Sequence, residues 1–183
     1  TTKEFDNSLR RIFLVIFQMF DKIIDVIKEE EYGETAICKE IHTIDLNIDK
    51  FVDYCCRIMT KIESSFSDHK KNLLFSTLFN LELLGDEFKY IGKHFAVSKK
   101  NLNGLVPLIE KVKEHFETYY KLFYKFEREQ SIDMGKKDYE MYNYYFSIKK
   151  GLTGEAKSIG QHLMLISKFI FVLTELRIQM EYD

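Results

Sequence analysis

The chain has 183 residues, enough for one well-buried core or for two small units packed as one body. Its 45% hydrophobic and 31% charged residues, with a mean hydropathy of −0.25, exclude a disordered chain. A formal charge of −2, with lysines interspersed among acids, argues against nucleic-acid binding.

One proline, few glycines and apolar residues at three- and four-residue spacing throughout predict an all-α chain of six helices. The first, about 4–31, carries Phe5, Leu9, Ile12, Phe13, Ile16, Phe20, Ile23, Ile24 and Ile27 on one face, with Gly33 as a stop. Its apolar run Ile12–Phe20 is only nine residues, against the ~20 of a membrane span, so no transmembrane segment is expected. The second, about 34–65, has a near-heptad stripe from Ile37 through Ile41, Ile48, Val52, Cys55 and Met59 to Ile62. "SSFSDH" supplies a capped turn, and a third helix runs from Asp68 to Ala96.

"SKKNLNG" breaks the pattern before a fourth helix, which starts beside Pro107 and is expected to reach Gln130. "SIDMGKK" reads as the next break, followed by a fifth helix over 137–150. "GLTGE" separates it from a sixth that runs to the end of the sequence. Three helices, a polar break and three more predict two tandem three-helix units, 1–98 and 99–183, forming one elongated bundle.

Two acidic segments stand out. Asp45, Asp49 and Asp53 follow one another at four-residue steps and drift from the apolar stripe towards solvent. Stacked like charges repel, each pair costing roughly 0.2–0.5 kcal/mol in an isolated helix, so lysines or a metal would relieve them. Glu82 and Asp86, also four apart, flank Gly85 in "NLELLGDEFKYIG". Antiparallel neighbours can bring both groups together as an oxygen-rich cluster suited to iron, manganese, magnesium or calcium. The ordinary reading of such spacing is a solvated helix face.

None of the five histidines, His42, His69, His94, His115 and His162, has a glutamate three residues before it, which removes a ferritin-like di-metal site. They read as ordinary, partly buried histidines. Cys38, Cys55 and Cys56 form no disulfide framework and read as small apolar residues in a reduced setting. Neither a nucleophile elbow nor a phosphate-cradling glycine loop is present, so no catalytic residue is assigned. The aromatic run "YEMYNYYF", from Tyr139 to Phe146, reads as the amphipathic cover of a bundle.

"NLELLGDEFKYIG" resembles the Glu-Arg-Ile-Gly-Asp signature of PhoU-like domains, with Glu82, Gly85 and Asp86 at matching positions, Leu83 for the arginine and Glu87 for a frequent histidine. "EIHTIDLNIDKFVDY" is similar to the family's second-helix stretch. "SSFSDHKKNLLFSTLFNLELLGDE" is closest to the cytosolic C-terminal PhoU-like region of sodium/phosphate cotransporters, and the opening Thr1-Thr2 fits an excised domain. The second half keeps less: Phe171 and Thr174 replace the signature glutamate and glycine, Glu175 keeps an acid, and the fifth helix offers only Asp138.

The resemblance implies a non-enzymatic regulator of phosphate transport, as a cotransporter domain or a standalone protein. It implies that Asp45, Asp49, Glu82 and Asp86 hold iron or another multivalent cation, with Asp53 outlying. It further implies a membrane phosphate transporter as partner, in cis or in trans, a sensor protein besides, a cytoplasmic position at the inner face of the membrane, and room for a homo-oligomer. The alternatives are a helical ligand-sensing or haem-type domain whose aromatic second half lines a pocket, and a structural helical adaptor.

Overall fold

The computed structural model describes residues 1–61, 66–99 and 101–182, and within them every regular element is helical. The elements are α1 (Thr2–Lys28), α2 (Thr35–Lys61), α3 (Asp68–Val97), α4 (Val106–Tyr124), α5 (Arg128–Ile148) and α6 (Glu155–Glu181), with a single 3-10 turn, Asn103–Leu105, before α4.

Local chemistry sets the boundaries. Thr1 and Glu4 form a capping box, so α1 starts before Glu4. It ends earlier than Gly33 predicts, because Glu30 already turns into the left-handed region at φ 56°. Gly33, at φ 95°, instead lets its N–H reach the Phe95 carbonyl at 2.8 Å, pinning the α1–α2 turn to the end of α3. The expected end of α2 near Ser65, with Ile62 and Ser64, lies outside the described residues. Ser67 caps α3 by accepting from the Lys70 N–H at 3.1 Å.

The break expected at "SIDMGKK" is displaced. Helix α4 stops at Tyr124, where Lys125 and Glu127 take extended backbone, and α5 runs straight through Ser131–Lys137. Two contacts explain it. The Arg177 Nε–H donates to the freed Phe123 carbonyl at 3.0 Å, and its guanidinium covers the Phe126 ring at 4.9 Å. Within α5, Met134, Met141 and Tyr145 are buried at near-heptad spacing, which offsets the roughly 1 kcal/mol that Gly135 costs in mid-helix.

In each half the consecutive helices pack against one another, and α3 against α6 with α1 against α4 join the halves. α1 is the most deeply seated helix, with Phe20 edge-on to Phe88 at 4.8 Å and Phe13 among Phe116, Tyr119 and Phe123. The result is a single apolar core reaching from Phe5 to Leu173. α3, at 30 residues about 45 Å long, is the shared wall: one side faces α2, another α6. Among the described residues no helix is long and apolar enough to cross a membrane.

Candidate functional site

The facing seam of α2 and α3 brings the two acidic segments together. Gly85 eases this: a Cβ there would lie 2.9 Å from Ile48 Cδ1 and 3.1 Å from Asp45 Oδ1, so a larger residue would have to push both side chains aside where the Asp45 carboxylate lies across α3. Gly92 serves the same close approach two turns further along α3, beneath Ile41.

The three aspartates of α2 grade outwards as their spacing predicts. Asp45 is 1% exposed, Asp49 is half-buried and the Asp53 side chain is 72% exposed, where it meets Arg57 at 3.5 Å. From α3, Glu82 and Asp86 are half-buried. Burial pushes the Asp45 carboxyl above its ordinary range, with repulsion from Asp49 and Asp86 added and attraction from Lys89 opposing. Glu82 is pushed up likewise, by burial and then by Asp49, Asp86, Asp53 and Asp45. The four carboxylates thus share one electrostatic field.

The cation in that field is a lysine. Lys89, one turn after Asp86, places its ammonium on Asp86 Oδ1 and 3.4 Å from Asp45 Oδ2. Both acids hold the ammonium in its charged form, the hydrogen bond to Asp86 most strongly. Asp45 Oδ2 has no well-formed hydrogen bond; its remaining neighbour is His42 Nδ1 at 3.8 Å. Lys89 can be found in the sequence as an i, i+3 partner of Asp86, a signal outweighed there by the acids themselves.

Asp45, Asp49, Glu82 and Asp86 have the donor chemistry of a hard-cation site. As placed, they do not fit one, because the Lys89 ammonium sits between Asp45 and Asp86. Among the described residues no three or more histidine, cysteine, aspartate or glutamate side chains converge as a ligand set.

The second half builds no matching cluster from the described residues. Asp138 of α5 meets Ser167 of α6, whose hydroxyl donates to Oδ1 at 3.4 Å, and Ser167 also lies 3.5 Å from Nδ1 of the buried His115. Thr174 turns its hydroxyl to the Ile170 carbonyl of its own helix, and Glu175 is exposed. In the aromatic run, Met141 and Tyr145 enter the core while Tyr139, Tyr142 and Phe146 are exposed. Tyr142 and Tyr145 line an open groove of about 1000 Å³ with Lys149, Lys157, His162 and Lys168. Cys55 is buried, which pushes its thiol up to about 12, and all three cysteines are free.

No family model matches the chain, and no curated protein matches it in sequence. Solved structures match its shape. The phosphate transport system regulatory protein PhoU from Streptococcus pneumoniae superposes with a TM-score of 0.83 at 16% identity, over 98% of this chain and 94% of that one. PhoU from Pseudomonas aeruginosa gives 0.84 at 11% identity, over 99% and 97%. The chain therefore has a PhoU-like fold, an all-α bundle of six helices among the described residues.

Proposed function

We propose that the chain is a non-catalytic regulator of phosphate transport. It works at the cytoplasmic face of the membrane by contact with a phosphate transporter and with a sensor protein, in cis as a cotransporter domain or in trans as a standalone protein. The observation that carries this reading is the near-complete superposition on PhoU proteins, one of them a phosphate transport system regulatory protein. Glu82, Gly85 and Asp86 support it, since the glycine is used for close helix approach beside an acidic cluster.

In this reading the α2–α3 seam is the functional face, and its resident cation is Lys89. Asp49, Glu82 and Asp86 stay partly exposed and give the face a net negative charge. Lys89 has to swing off Asp45 and Asp86 before iron or another multivalent cation reaches them. Metal loading therefore rises in Lys89→Met relative to the parent chain, and equal loading of the two contradicts competition between lysine and metal.

Affinity purification of the chain from cells that carry it, scored for phosphate transporter subunits, tests the main claim. The parent chain retains the transporter, and a variant with Asp49→Lys and Glu82→Lys that keeps its helical spectrum does not. A folded parent chain that retains no transporter contradicts the proposal. The ligand-sensing alternative finds one supporting feature in the tyrosine- and lysine-lined groove. Its histidine, His162, has Nδ1 held by Glu87 and Nε2 facing His94 at 3.3 Å, so a haem iron there would have to displace the His94 ring.

A further inference from the structure

Where α3 meets α6, four polar side chains form a line. Glu155 Oε2 lies 2.5 Å from His94 Nδ1, Glu87 Oε2 lies 2.6 Å from His162 Nδ1, and the two Nε2 atoms face each other at 3.3 Å. The Tyr90 ring stacks on His162 at 5.6 Å and 19°, fixing its plane. The imidazoles are 27% and 22% exposed, so solvent reaches them.

A carboxylate only accepts, so each glutamate fixes a proton on the Nδ1 it touches. In the neutral rings both Nε2 atoms then carry lone pairs, and the two lone pairs meet head to head. A proton on one Nε2 donating to the other, or a metal ion bound by both, relieves that arrangement. Two nitrogens bound tetrahedrally at 2.0–2.1 Å lie about 3.3–3.4 Å apart, which the observed separation matches. Metal-bound histidines also characteristically donate their other N–H to a carboxylate, as both do here.

We propose that His94 Nε2 and His162 Nε2 bind a divalent transition metal of the zinc class, with Glu87 and Glu155 orienting the rings and balancing its charge. Two protein ligands leave the other positions to water or an exogenous anion. The site is separate from the carboxylate cluster, which lies on the α2 side of α3, and it does not depend on the phosphate-transport reading.

The test uses the full chain, stripped with chelator and titrated with zinc alone. In long-range ¹⁵N spectra the Nε2 signals of both His94 and His162 shift together and saturate at one zinc per chain. Competition with a chromophoric chelator shows that binding lost in the His94→Ala, His162→Ala double variant and weakened about ten- to a hundredfold in Glu87→Gln. It is unchanged in His69→Ala. Zinc leaving both Nε2 signals in place overturns the proposal, and so does a folded double variant with parental affinity. The spectra on the parent chain decide the matter even if the variant fails to fold.

Discussion

The α2–α3 seam encloses a carboxylate and the second half encloses an imidazole, and the two are handled differently. Asp45 is closed in by Gly85 but given a counter-ion, Lys89, from further along α3. His115 is closed in with the Ser167 hydroxyl beside its Nδ1, and burial pushes it down to about 4. Lys137 adds to that depression, while the Met134 backbone and Glu114 oppose it. Burial disfavours the charged form of both, but in the first half Lys89 opposes that cost from the surface, whereas in the second half Lys137 adds to it.

The largest effect expected from this contrast is on acid stability. His115 has a folded pKa of about 4 against an ordinary 6.5, so the unfolded chain takes up the extra proton first. Its contribution is whole above pH 6.5 and is lost as pH falls towards 4, a difference on the order of 3 kcal/mol. Urea unfolding at pH 7 and pH 4 should show the parent chain losing that much more than His115→Leu. Parallel losses would break the contrast.

Lys89→Met tests the other half. It leaves Asp45 enclosed without its cation and should cost about 2 kcal/mol at pH 7, less than a fully buried pair because Lys89 is a quarter exposed. Asp45→Asn in the same chain should recover most of the loss, and a double-mutant cycle reads the coupling. Additive losses would show that lysine and aspartate act independently.

Close packing gives a smaller, sharper comparison. Gly85→Val pushes on Ile48 and Asp45, whereas Gly160→Val meets Tyr145 Cε2 at 3.1 Å and Leu152 Cδ1 at 3.2 Å. Each should cost about 1–2 kcal/mol in thermal or urea unfolding. Gly85→Val should lose more, because it also displaces a carboxylate from its lysine. The smallest effect belongs to Asp53→Asn, which should change stability by less than about 0.5 kcal/mol, since Asp53 and Arg57 are mostly exposed.

The helices are legible in the sequence because their apolar periodicity is carried by large residues such as Phe13, Phe20, Leu84 and Phe88, whose burial overrides local preference. The α4–α5 break falls elsewhere than its sequence signals suggest because it depends on a distant side chain. Arg177 caps Phe123 across 54 residues, and no local signal in "YKFERE" announces it. The acid cluster is legible from four-residue spacing on two neighbouring helices. Its lysine is not, because pairing with Asp45 requires α2 and α3 to be in register, whereas Asp86 alone is an ordinary neighbour on the same helix. The His94–His162 pair leaves no trace in the sequence, because two histidines 68 residues apart meet only once α3 lies against α6.

Phosphate uptake is the most direct test of the central claim, that the chain regulates phosphate transport through its acidic α2–α3 face. Labelled phosphate would be followed in cells lacking the chain and in cells given back either the parent or the Asp49→Lys, Glu82→Lys variant. Loss of the chain should alter uptake, the parent should restore it and the folded variant should not. Uptake indifferent to the chain's removal and return would contradict that claim.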